Sequence, residues 1–103
     1  MKIIEKLSEF IDEEIADAEK YVKLAIEYKG TNDELAKVFY VLSTEEMEHM
    51  SRLHNCVVNM INEYRAKNGD APPEMKMVYD ILHRRHIDGA GTVKALQMLY
   101  KEQ

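Results

Sequence analysis

Apolar residues recur along the first two thirds of the chain in steps of three and four, the signature of helices packed along other helices. From Ile3 to Tyr28 the inward positions read Ile3, Ile4, Leu7, Phe10, Ile11, Glu14, Ile15, Ala18, Tyr21, Val22, Ala25 and Tyr28. Glu14 is the one charged break in that stripe, and Leu7, Glu14, Tyr21 and Tyr28 form its midline. A second run, from Asp33 to Lys67, carries Leu35, Phe39, Leu42, Glu46, His49, Leu53, Cys56 and Met60 on one seam. Its only polar positions, Glu46 and His49, stand three apart and so share a helix face. A buried carboxylate beside a buried imidazole is costly without compensation, and a metal ion is the common compensation for that pair.

Lys29-Gly30 reads as the stop of the first helix, with Gly30 as a left-handed cap. Thr31 and Glu34 have capping-box spacing at the start of the second. So short a connection predicts an antiparallel hairpin. Measured back from the turn at about 1.5 Å per residue, Glu14, Glu46 and His49 all fall roughly 24 to 27 Å away. Three polar breaks in two apolar seams therefore meet at one level.

Asn68-Gly69-Asp70 and Ala71-Pro72-Pro73 interrupt the pattern. Beyond them the reading is a short third helix from Glu74 to about His86, with Met77, Val78, Ile81, Leu82 and Arg85 inward. Asp88-Gly89-Ala90-Gly91 reads as a break, and a last short helix starts at Thr92 and carries Val93, Leu96, Met98 or Leu99, and Tyr100. The expected fold class is all-α: a long two-helix hairpin over residues 1–70, and a two-helix extension over 71–103. Cys56 is expected in the core, and His54 and the His83-Arg84-Arg85-His86 segment at the surface.

Composition narrows the setting. With 46% hydrophobic and 32% charged residues the chain is a globular, soluble type. A net charge of -5 argues against nucleic acid or an anionic membrane as main partner. No apolar run approaches a membrane span and no leader pattern opens the chain, so the expected location is cytoplasmic. One cysteine makes neither an intrachain disulfide nor a cysteine-based metal site.

One chain offers one Glu and one Glu-x-x-His. Carboxylate di-metal sites in helix bundles take a Glu from each of two helices and Glu-x-x-His from each of two others. A two-fold homodimer of hairpins supplies that set, and its four carboxylates balance two divalent cations. The dimer would also cover the apolar face that a lone hairpin leaves open.

Glu14 with Tyr21 seven later, Val38-Phe39, Glu46-Met47-Glu48-His49 and Arg52-Leu53 together resemble the first helical hairpin of rubrerythrins and the wider ferritin-like family. The resemblance covers roughly residues 10 to 55, half of that family's four-helix bundle. It implies that Glu14, Glu46 and His49 are metal ligands, that Glu46 bridges the two metals, and that Tyr21 stands near the site, with Glu46 and Tyr21 as the candidate catalytic residues. The second hairpin and the Cys-rich rubredoxin domain are lacking, so peroxidase chemistry would need an external electron donor. Half-length chains that complete the site by dimerising are similar to encapsulated ferritins. The implied cofactor is two iron ions per dimer, with manganese or zinc as other occupants of such ligands. The implied activity is oxidation of Fe(II) by oxygen or peroxide. The rival reading is a non-catalytic helical dimerisation or docking module with an empty site.

Overall fold

A computed structural model describes residues 1–103 and contains three helices and no strand. They are α1 (Lys2–Tyr28), α2 (Asp33–Asn68) and α3 (Pro73–Glu102). The first two begin and end within a residue or so of the positions expected from their periodicity. Gly30 has φ +91°, a backbone region that costs glycine least, and Lys29 N–H donates to Ala25 O at 3.1 Å. The cap of α2 is Asn32 and not Thr31: Asn32 Oδ1 accepts from Leu35 N–H at 3.1 Å, while Asp33 Oδ1 accepts from Gly30 N–H at 2.7 Å. Pro73 takes the first turn of α3, where its missing N–H costs nothing.

The pairs Ala18–Ser43, Tyr21–Phe39 and Glu14–His49 meet, so α2 runs back along α1. Contacts of α3 run in the same order as α1: the Met1 amino group donates to Tyr79 Oη at 2.8 Å, Arg85 and His86 face Asp12, Gly89 lies on Ile15, and Lys29 reaches the Tyr100 carbonyl. The result is an elongated bundle, 55 × 18 × 18 Å. Ser43 links all three helices. Its hydroxyl donates to Ala18 O at 2.7 Å and accepts from Gln97 Nε2 at 3.1 Å.

The fully enclosed stripe of α1 is Ile4, Ser8, Ile11, Ile15, Ala18, Val22 and Ala25, with Ala36 and Ser43 from α2 and His86 and Val93 from α3. Each large aliphatic among them contributes about 2 kcal/mol by leaving water. The expected midline of Leu7, Glu14, Tyr21 and Tyr28 is instead a half-exposed flank of that stripe. The reason is α3: it sets the centre of burial one position round the helix, towards Ile11 and Ile15.

The C-terminal third differs from expectation. In place of two short helices and a break, α3 is one helix of 30 residues that passes through Gly89-Ala90-Gly91. A Cβ at position 89 would lie 2.9 Å from Ile15 Cγ2, so the glycine that resembled a breaker is the point of closest approach to α1. Thr92 does not cap a helix; its Oγ1 donates to Asp88 O one turn back. Met77, Val78, Ile81, Met98 and Leu99 face out, while Tyr79, Leu82, His86, Val93, Leu96 and Tyr100 face in. Arg85 is exposed and pairs with Asp12. Cys56, expected in the core, is exposed. No helix is long and apolar enough to cross a membrane.

Candidate metal centre

Glu14 lies on α1, and Glu46 and His49 lie on α2. His49 Nδ1 is 3.3 Å from Glu14 Oε2 and 3.7 Å from Glu46 Oε2. The three groups can each offer one ligand atom within 4.8 Å of the others, and no other trio of His, Cys, Asp or Glu does so. Helical spacing places Glu46 and His49 on one face, and the antiparallel return of α2 brings that face to Glu14.

The trio does not lie in the three-helix core, as the seam reading implied. Side-chain exposure is 19% for Glu46, 25% for Glu14 and 50% for His49. At 100° per residue Glu14 is about 160° round α1 from Asp12, which faces α3, so the site opens away from α3. Phe10, one turn before Glu14 on α1, is 39% exposed, and Val38 and Val41 further along α2 are 50% and 42% exposed. Glu45 and Glu48 point to solvent.

The electrostatics of the trio are those of two crowded carboxylates beside an imidazole. A hydrogen bond with Glu14, then burial, then the charge of Glu14 push the Glu46 carboxyl above its ordinary value, and His49 pulls it partly back. Two ionised carboxylates this close repel one another. A divalent ion would relieve that repulsion, and oxygen plus imidazole donors suit iron, manganese or zinc.

Tyr21 stands two turns along α1 from Glu14, about 10 Å by helical rise. Its ring stacks on Phe39 with centroids 6.4 Å apart, and Phe39 in turn meets Tyr28 at 6.0 Å. It therefore belongs to an aromatic cluster on the same open flank and makes no contact with the carboxylates.

Two histidines expected at the surface are elsewhere. His86 is 7% exposed, with Nε2 3.1 Å from Asp12 Oδ1. His54 stacks on His83 with ring centroids 5.5 Å apart. The Arg84-Arg85 pair masked His86 in the sequence, although its step of seven to Val93 carried the inward phase. Comparison with family models, with characterised proteins and with solved structures found no match.

Proposed function

We propose that this chain is a ferritin-like metal protein in which two copies pair through the open flank of α1 and α2 and share a di-iron carboxylate centre. The observation that supports the reading best is the convergence of Glu14, Glu46 and His49 on the one face of the hairpin that α3 leaves uncovered. Isolated surface acids are common, but here two acids from different helices converge on one imidazole. Two-fold pairing brings together four carboxylates and two imidazoles, the donor set of bundle di-metal sites, and covers Phe10 and Val38 in the same step.

In that centre Glu14, Glu46 and His49 of both copies would hold the metal ions. Bound iron supplies the redox chemistry, oxidation of Fe(II) by oxygen or peroxide, with electrons from an external donor if turnover is to continue. The protein's own part is to bring the three donors together and to set four carboxylates against the charge of two divalent ions.

The rival reading, a dimerisation or docking module with an empty site, is distinguished by one variant. Glu46→Ala should abolish metal uptake while leaving helicity and oligomer mass unchanged, because removing a carboxylate from a crowded pair need not unfold the bundle. Stoichiometric iron retained in that variant would exclude the assignment.

A further inference from the structure

Tyr40 on α2 and Tyr100 near the end of α3 stack with ring centroids 4.7 Å apart and an interplanar angle of 20°. That spacing is at the close end of the roughly 4.5–7 Å range of aromatic pairs. Of the chain's six tyrosines, these are the two whose rings pack on each other. Tyr21 and Tyr28 both lie on Phe39, and Tyr64 and Tyr79 border one cleft without a ring contact. All six are half-buried, so exposure singles out none of them.

The contacts around the stack hold it in register. About one turn inward from both rings, Ser43 Oγ accepts from Gln97 Nε2 at 3.1 Å. Ser43 is itself enclosed and donates to Ala18 O, which fixes this turn of α2 on α1. Lys29, in the connection between α1 and α2, donates to the Tyr100 carbonyl and stands 4.5 Å from the centre of that ring. Lys101 lies 5.7 Å from the centre of the Tyr40 ring. Each ring therefore has an ammonium beside it, which adds cation–π attraction. A second positive charge next to that ammonium is costly, so a ring that loses an electron also loses its phenolic proton.

We propose that Tyr40 and Tyr100 are an oxidative modification site, at which a peroxide-activated haem of another protein joins the two rings as dityrosine. Each phenol gives one electron to the oxidant and one proton to water. The two neutral phenoxyls couple, and a bond forms between ring carbons ortho to their oxygens. The hydrogens on those carbons leave as protons and return to the oxygens, so the product has lost two hydrogens in all. One hydrogen peroxide takes up the two electrons and two protons and leaves as two waters. Rings already stacked couple faster than dilute chains meet, because fixed geometry acts as a very high local concentration. The new bond ties the hairpin near its turn to the last turn of α3, and a crosslink between distant residues restricts the unfolded chain. Neither ring belongs to the carboxylate site, and the oxidant is not formed there.

The test treats the full chain with a haem peroxidase and dilute hydrogen peroxide, then reduces and peptide-maps it, so that disulfides through Cys56 do not count. The map should show one linkage, between the peptides carrying Tyr40 and Tyr100, with the blue fluorescence of dityrosine. Its yield per chain should stay constant when the protein is diluted about tenfold, because the coupling is intramolecular. Tyr40→Phe and Tyr100→Phe keep a ring in the stack and should each lower the yield at least about tenfold, while Tyr79→Phe should stay within about twofold of the parent chain. The linked chain should unfold at a higher urea concentration than Tyr100→Phe treated in the same way. A linkage through Tyr21, Tyr28, Tyr64 or Tyr79, a yield that falls on dilution, or fluorescence undiminished in Tyr100→Phe would each overturn the proposal. So would the absence of dityrosine, or a linked chain no harder to unfold than the treated variant.

Discussion

At Glu46 opposing effects compete, and their balance gives the site its pH behaviour. Hydrogen bonding to Glu14, burial and Glu14's charge raise its carboxyl above 4.5, while His49 lowers it. The folded state therefore holds this proton more tightly than the unfolded chain does. That contribution is fully present below the unfolded value of 4.5 and is lost as pH rises through the raised folded value. Glu46→Gln keeps the amide near Glu14 and removes the titration. In urea unfolding of metal-free protein, the parent chain should lose stability relative to Glu46→Gln as pH climbs from 4.5 towards neutral. Parallel pH curves for the two proteins would contradict this account of the carboxylate pair. The trio itself was legible in the sequence, because Glu14, Glu46 and His49 break otherwise apolar seams. Its exposure was not legible, because two seams share α1, and only the position of α3 decides which of them is enclosed.

At the scale of elements, α1 and α2 were readable from periodicity and stop signals, and α3 was read as two pieces. Gly89 and Gly91 each cost about 1 kcal/mol of helix propensity, so a break was the natural local reading. Packing overrode it at one of the two positions for a specific reason, the close approach of Ile15. The two glycines should therefore respond in opposite ways. At position 89 an alanine gains about 1 kcal/mol of propensity but overpacks against a β-branched side chain, a loss of about 1–3 kcal/mol. Gly89→Ala should thus destabilise the bundle by about 1 kcal/mol. Nothing lies within 4 Å of a Cβ at position 91, so Gly91→Ala should stabilise by up to about 1 kcal/mol. Chemical denaturation of both variants checks the pair, and a gain at position 89 would mean that the helices do not approach as described. The inward phase of α3 was missed by the same route: taking Met77 and Ile81 as inward displaced the stripe that His86 and Val93 occupy.

For the whole molecule the balance of apolar surface matters most. The enclosed core is thin for a chain of this length, with Ile4, Ile11, Val22 and Val93 its largest fully buried side chains apart from Ser43. Phe10, Val38 and Val41 of the hairpin remain partly in water, as do Met77, Ile81 and Met98 on the outside of α3. A small domain with this much apolar surface outside its core gains by association. Pairing through the first of these surfaces, as proposed, would also bring six candidate ligands together, since one copy alone offers three. The outer surface of α3 has no such chemistry. The most direct measurement is the metal content of the protein, expressed with iron supplied, set against its oligomer mass in solution. The account predicts a dimer, or a larger assembly of dimers, holding about two metal ions per pair of chains and oxidising added Fe(II) in air. A monomer, or a metal-free dimer that takes up neither iron, manganese nor zinc on reconstitution, would contradict it.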